Sequence, residues 1–168
     1  MSRIAMIGAA LFAALISTTT GYAQQPTQPA APPAPMGYGA AISLEQARSV
    51  AAAAEAEMKK NNFNMVIAVV GTNGELIYLQ KADLAGNTSI LIAQDKARHA
   101  ALYKTASKAY QDRLANGETY ILALRNAVPV GGGVPLVSGG KVIGAIGISG
   151  GSAAQDHQIA TAGAASLK

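Results

Sequence analysis

A glycine-rich stretch from residue 128 to residue 151 constrains the fold of this chain more than any other feature. It predicts a short strand at 134–138, a two-residue turn at Gly139-Gly140 and a second strand at 141–149. A Gly-Gly loop suits a tight hairpin, because both turn positions accept a positive φ angle without steric cost. The stretch therefore predicts an antiparallel hairpin near the end of the chain.

Two further glycines, Gly144 and Gly147, lie inside the second predicted strand. Side chains alternate along a strand, so an odd separation of three places the two positions on opposite faces of the sheet. Glycine weakens a strand and is found where another backbone or a ligand comes close. We expect a closely packed helix at this strand as the simplest explanation, with a neighbouring subunit or a flat ligand as alternatives.

The first 23 residues have the pattern of a secretory signal. Arg3 precedes an apolar run at residues 4–16, and Gly21-Tyr22-Ala23 supplies the small residues that a signal peptidase needs. The apolar run is too short to span a membrane as a helix. We therefore predict export, a periplasmic or secreted location, and no membrane span after cleavage.

Composition excludes several classes of protein. Removal of the signal with Arg3 leaves 12 basic and 9 acidic residues, a net charge of about +3, and no arginine-rich run or aromatic platform accompanies it. We therefore expect no nucleic acid as partner. Cysteine is absent, which excludes disulfides, thiolate metal sites and a thiol nucleophile. An exported chain of this kind has to be stabilised by its core or by its oligomer.

Residues 24–41 are rich in proline, alanine and glutamine. Such a segment buries too little apolar surface to offset the entropy of ordering it, so we predict a disordered linker. Residues 42–168 have the length of one ordinary domain. The predicted organisation is thus a signal, a linker and one domain.

Local patterns predict the elements of the first half of this domain. Ser43 and Gln46 form a capping box that begins an alanine-rich helix. The apolar run at 65–71 is too short for a helix and predicts a buried strand. Asn73-Gly74 is a strong hairpin signal, and residues 76–81 return as the partner strand.

The second half predicts a long helix at 89–107, a strand at 118–125, the glycine-rich hairpin, and a last helix to about residue 165. Ser152 and Gln155 form the capping box of that last helix. Consecutive hairpins imply an antiparallel sheet covered by helices. The predicted class is α+β, with about five strands.

This order and several local sequences resemble the GlcG/HbpS haem-binding family, also described as the haem-degrading or PduO C-terminal-like domain. The resemblance spans residues 42–166. Two positions depart from the family pattern: Gly71 stands where the family has Asp, and His99 stands where it has Thr. The matching segments are Glu45-Gln46-Ala47, residues 67–74, Lys96-Ala97-Arg98-His99-Ala100, residues 132–136, residues 142–151 and Asp156.

The resemblance implies a profilin-like sheet flanked by helices and assembly into a homo-oligomer, a dimer or larger. It also implies binding of a tetrapyrrole, either haem or a corrinoid. Fold passes between relatives more safely than activity does.

Haem needs an axial ligand, an apolar slot, and cations or N–H groups for its carboxylates. His99 is the candidate axial and metal ligand; the alternative is an ordinary helix residue. His157, the other histidine, is expected to be solvated. The predicted cofactor-binding residues are His99, Lys96, Arg98, Tyr103, Gly132 and Gly133.

The function predicted from these residues is haem binding for sequestration, sensing or transfer. The alternatives are an oligomeric accessory protein that binds a small organic metabolite or corrinoid, and a haem-degrading enzyme. The sequence has no nucleophile elbow, no His-Glu-x-x-His motif and no nucleotide-binding loop, so we expect no hydrolase or nucleotide enzyme. Any oxidative breakdown of haem would draw most of its chemistry from the cofactor.

Overall fold

The computed structural model describes residues 36–167. The predicted signal and residues 24–35 of the predicted linker lie outside this range. Between residues 36 and 167 no helix combines the length and the apolar character needed to cross a membrane.

The described chain forms four α-helices and one sheet of four strands, with a short 3-10 helix at Thr119–Ala123. This confirms the predicted α+β class. The elements in chain order are α1 (Leu44–Lys60), β1 (Val66–Val70), β2 (Leu76–Lys81), α2 (Ser89–Tyr103), α3 (Ser107–Ala115), β3 (Gly133–Ser138), β4 (Lys141–Ser149) and α4 (Ala153–Ala165).

All strand pairs are antiparallel, and the strand order is β2-β1-β4-β3. Both predicted hairpins are present, and the last strand of the chain is central because β4 pairs with β1 as well as β3. Beyond Val70, residues 37–42 take the place next to β4: Gly39 N–H donates to Val142 O at 2.9 Å, and Ile42 N–H to Ile143 O at 2.7 Å. The end of the predicted linker is therefore attached to the sheet.

The two faces of the sheet are covered differently. On one face, α1 and α4 enclose a core of bulky side chains that includes Met65, Ile67, Ile146 and Ile159. On the other face, α2 lies against the sheet through alanines, which form a thin layer. The helix that carries the predicted site is thus the one closest to the strands.

Glycines allow this close approach. A Cβ atom at Gly147 would collide with the carbonyl oxygen of Ala93 and would lie 2.6 Å from the backbone nitrogen of Ala97. A Cβ atom at Gly133 would collide with the carbonyl oxygen of Lys96. The helix expected against the glycine-bearing strand is therefore α2, which confirms the simplest of the three explanations for Gly147.

The region between α2 and β3 differs from the prediction. The helix predicted to run to residue 107 ends at Tyr103, because Lys104 adopts a left-handed conformation with φ +53°. A separate helix, α3, follows and was not predicted. The strand predicted at 118–125 is wrong: this segment contains a 3-10 helix and buries only Ile121, so it has no alternating face to place on a sheet. The described sheet accordingly has four strands and not five.

We predict that Gly147→Ala lowers the free energy of unfolding by about 2–3 kcal/mol, because the added methyl group forces α2 away from the sheet. Urea denaturation measures the loss. Gly37→Ala is the matched control, since a Cβ atom there meets nothing within 4 Å, and it should leave stability unchanged. Equal stability of the two variants would contradict the close contact.

Candidate functional site

The second half of α2 holds four of the predicted site residues: Lys96, Arg98, His99 and Tyr103. They differ widely in environment. Lys96 and His99 are buried, Tyr103 is half-buried and Arg98 reaches solvent. The structure therefore separates residues that the sequence grouped together.

The imidazole of His99 lies in an aromatic cluster and has no exposed surface. The ring of Tyr103, one turn further along α2, stacks on it with a centroid distance of 4.9 Å. The ring of Tyr110, on α3, meets it edge-on at 4.6 Å. We call these three residues the aromatic cluster.

The two nitrogens of His99 have different partners. The backbone N–H of Val128 donates to Nδ1 at 2.9 Å, while Nε2 is buried without a hydrogen-bond partner. Because Nδ1 accepts, the proton of the neutral ring is assigned to Nε2. Burial lowers the pKa of His99 to about 4, so the ring is neutral at pH 7.

Residues 117–130, which we call the cover segment, lie against the aromatic cluster. Besides the Val128 bond, the hydroxyl of Tyr103 donates to the carbonyl oxygen of Arg125 at 2.6 Å. At its end, the carbonyl of Val130 accepts from the hydroxyl of Ser107 at 2.7 Å. Two side chains of α2 thus hold the cover segment by its backbone.

Arg98 lines a surface cleft of about 200 Å³ together with Asp95, Asn126 and Val128. Its guanidinium donates to the Asp95 carboxylate at 3.1 Å and to the Gly74 carbonyl at 3.2 Å. Because Val128 also contacts His99, the cleft and the aromatic cluster share a wall. An exposed guanidinium at such a place can bind a carboxylate of a ligand.

Lys96 has a partner inside the protein. Its Nζ lies 2.6 Å from Oδ2 of Asp156 on α4, and the two side chains are only 2% and 3% exposed. Oδ1 of Asp156 accepts from Gly151 N–H at 2.9 Å. Burial raises the pKa of Asp156, against the lowering effect of the Lys96 ammonium. In this structure the pair joins α2 to α4 and does not face solvent.

Two N–H groups of the glycine turn before β3 already donate to side chains of the protein. Gly133 N–H donates to Ser107 Oγ at 2.8 Å, and Gly131 N–H donates to Gln111 Oε1 at 2.7 Å. Gly132 has φ +126°, and a Cβ atom there would lie 3.0 Å from Lys96 Nζ. The turn therefore serves close packing around Lys96 in this structure, and these two N–H groups are not free to bind an anion.

Sequence reasoning missed Tyr110 and Val128, because both meet His99 only after the chain has turned at Lys104 and again in the cover segment. His157, expected to be solvated, is half-buried on α4, and burial lowers its pKa. Across residues 36–167, no group of three or more His, Asp or Glu side chains is placed to hold a metal ion. Any metal bound within this range through His99 has to bring other ligands with it.

The aromatic cluster fits a flat metal chelate in its chemistry. It offers an imidazole nitrogen without a partner, the faces of two phenol rings and a nearby cation in Arg98. A tetrapyrrole supplies four metal ligands itself and needs only an axial donor from the protein. The described domain is α+β, and it holds one further buried imidazole nitrogen without a hydrogen-bond partner, Nδ1 of His157 on α4, outside the cluster.

Comparison with known proteins assigns the domain to a family. The sequence profile of the family described as "Haem degrading protein HbpS-like" matches residues 42–165. Protein GlcG of Escherichia coli strain K12 is 39% identical over 108 residues, which cover 64% of this chain and 81% of GlcG. The chain belongs to the HbpS-like family, as its motifs predicted.

Solved structures agree with this assignment. A double mutant of Streptomyces reticuli HbpS is similar with a TM-score of 0.71 and 30% identity, over 83% of this chain and 98% of that one. A PduOC–haem complex is similar with a TM-score of 0.69 and 28% identity, over 76% of this chain and 96% of that one. The family and the fold therefore rest on sequence and on structure alike.

We predict that Lys96→Ala lowers the free energy of unfolding by about 3–5 kcal/mol, because it leaves the Asp156 carboxylate buried without its counter-ion. Chemical denaturation measures the loss. Lys108→Ala is the matched control: its pair with Asp112 is exposed, and its removal should cost less than about 0.5 kcal/mol. The double variant Lys96→Met/Asp156→Asn should recover most of the loss. Equal losses of stability in Lys96→Ala and Lys108→Ala would contradict a buried pair.

We predict that stability depends on pH through His99. The pKa of His99 is about 4 in the folded protein and about 6.5 in the unfolded chain. Between pH 4 and pH 6.5 the unfolded state therefore binds more protons than the folded state does. The contribution of His99 to the free energy of unfolding is therefore fully present above pH 6.5. It falls by roughly 3 kcal/mol as the pH drops towards 4.

Denaturation curves at pH 7, 5.5 and 4 test this pH dependence. His99→Asn places its Oδ1 where Nδ1 accepts from Val128 but does not titrate, so the difference from wild type should shrink as the pH falls. His157→Gln is the control and should remove a smaller part of the pH dependence. If His99→Asn had the same pH profile of stability as wild type, the ring would not be buried in its neutral form.

Proposed function

We propose that this protein binds haem at the aromatic cluster and acts, after export to the periplasm, in haem sequestration, sensing or transfer. We further propose that it works as a homo-oligomer. Exposed large hydrophobic residues outside the cover segment, among them Leu84 and Leu91, support association, and light scattering measures the mass in solution.

The observation that carries the haem proposal is the unpartnered Nε2 of His99. A buried polar atom without a hydrogen bond costs free energy, and its retention calls for a functional reason. Here the ring is neutral and packed against two tyrosines, and a structurally similar protein has been solved as a haem complex. These features together favour an axial ligand over an ordinary core residue.

The residues have distinct proposed roles. His99 would donate a nitrogen lone pair to the iron, Tyr103 would supply an aromatic wall, and Arg98 would pair with a carboxylate of the ligand. Lys96 acts one layer deeper, where its bond to Asp156 fixes the part of α2 that carries His99. Gly132 and Gly133 allow the turn to pack around Lys96. Bound haem would supply redox and oxygen chemistry; the protein would supply its position and exclude water.

Haem degradation is a second candidate, because the family description names that activity. Incubation of the haem complex with ascorbate and oxygen, followed by absorption spectra, separates the two functions. Loss of the haem band with formation of biliverdin-like products would indicate an enzyme, and a stable band would indicate a binding protein.

We predict that titration of the purified protein with hemin gives a saturable shift of the Soret band. His99→Ala should remove the shift or move it to the position of a differently ligated iron, because the proposed donor is lost. His157→Ala is the matched control, since it removes the other histidine and should leave the spectrum unchanged. Absence of a shift in wild type would refute haem binding, and an identical shift in His99→Ala would refute the ligand.

A further inference from the structure

The hydrogen bond between Val128 and His99 depends on which ring nitrogen carries the proton. A neutral imidazole has one N–H and one lone pair available in the ring plane. In the structure Nδ1 accepts from Val128, so its lone pair is already used and the proton is on Nε2. The ring therefore has no free lone pair while this bond is intact.

A nitrogen that binds a metal has to present its lone pair. If Nε2 does so, the proton of the neutral ring has to be on Nδ1, which then faces the N–H of Val128 across 2.9 Å as one donor facing another. If Nδ1 binds instead, Val128 loses its acceptor directly. In both cases the His99–Val128 bond and a metal on His99 exclude one another.

Near its start the cover segment is also attached to α3, because the Arg113 guanidinium donates to the Glu118 carboxylate at 2.8 Å and to the Tyr120 hydroxyl. Ile121 is its only buried residue, and Leu122 is 66% exposed. Its middle is held by the Tyr103–Arg125 bond and the Val128–His99 bond, both to α2. Glycines flank it: Gly117 has φ +93° at one end, and Gly132, just beyond the other end, has φ +126°. The segment can therefore move while the sheet stays intact, provided that Arg113 releases Glu118 and Tyr120.

We propose that residues 117–130 form a hinged cover that is held shut by the backbone bonds to His99 and Tyr103 and by the contacts with Arg113, and that this cover has to open before the His99 imidazole can bind a metal. The identity of the ligand rests on the haem function proposed above, whereas the hinged cover does not. Opening exposes Nε2 and the faces of Tyr103 and Tyr110 together. The closed structure is then the ligand-free form of the site.

Hydrogen–deuterium exchange of the ligand-free protein, followed by mass spectrometry, tests the cover directly. Tyr103→Phe keeps the ring but removes the bond to Arg125, so amides in 117–130 should exchange about three- to tenfold faster than in wild type. Tyr78→Phe is the matched control, since its hydroxyl bonds only to Gln80 on β2, and exchange in the cover should not change. Equal exchange in wild type and both variants would overturn the proposal.

The same measurement with hemin tests whether metal binding by His99 breaks the His99–Val128 bond. Binding usually slows exchange at a site, but here amides of the cover segment should exchange faster in the hemin complex than in the free protein. In His99→Asn, whose Oδ1 takes the place of Nδ1 as acceptor for Val128 and which carries no imidazole, hemin should not accelerate exchange. Slower or unchanged exchange in a wild-type protein that has bound hemin through His99 would overturn the proposal.

The two proposals fail separately. If hemin does not bind, the haem function is refuted, and the comparison of Tyr103→Phe with Tyr78→Phe still decides whether the cover is hinged. If hemin binds while the ligand-free cover exchanges no faster in Tyr103→Phe, haem binding stands and the hinged cover is refuted.

Discussion

The structure depends on the contact between the backbone of α2 and the glycines of β3 and β4. Where Gly133 and Gly147 stand, the helix carbonyls occupy the space of absent side chains, so α2 lies closer to the sheet than bulky residues would allow. The alanines of α2 complete this layer. As a result, the position of the helix is set within narrow limits, and so is the position of His99 on it.

Two buried polar side chains, three residues apart on α2, illustrate two ways of placing such groups in an interior. Lys96 keeps a carboxylate partner in Asp156, which compensates for the loss of water. His99 instead gives up its charge and uses one nitrogen as an acceptor. The Lys96–Asp156 pair links α2 to α4. The burial of His99 leaves its Nε2 without a hydrogen-bond partner. The difference separates a supporting residue from a candidate ligand.

Local signals in the sequence predicted much of this fold. The capping boxes at Ser43 and Ser152 and the turns at Asn73-Gly74 and Gly139-Gly140 depend on neighbouring residues, and all four are present. The burial of Lys96 could not be predicted, because its partner is 60 residues away in the chain. The strand predicted at 118–125 was wrong for a related reason: Tyr120 and Ile121 favour strands, but no edge of the described sheet pairs with them.

The place of β4 in the sheet has a consequence for the synthesis of the protein. Strand β1, Val-Ile-Ala-Val-Val, is buried along its whole length and pairs on one side with residues 145–149, which lie near the end of the chain. A chain that lacks residues 145–149, whether unfinished or cut by a protease, leaves this apolar strand with an open edge, the kind of surface that templates aggregation. The order of the strands therefore leaves β1 unpaired on this side until β4 has been made, which exposes the unfinished polypeptide to aggregation.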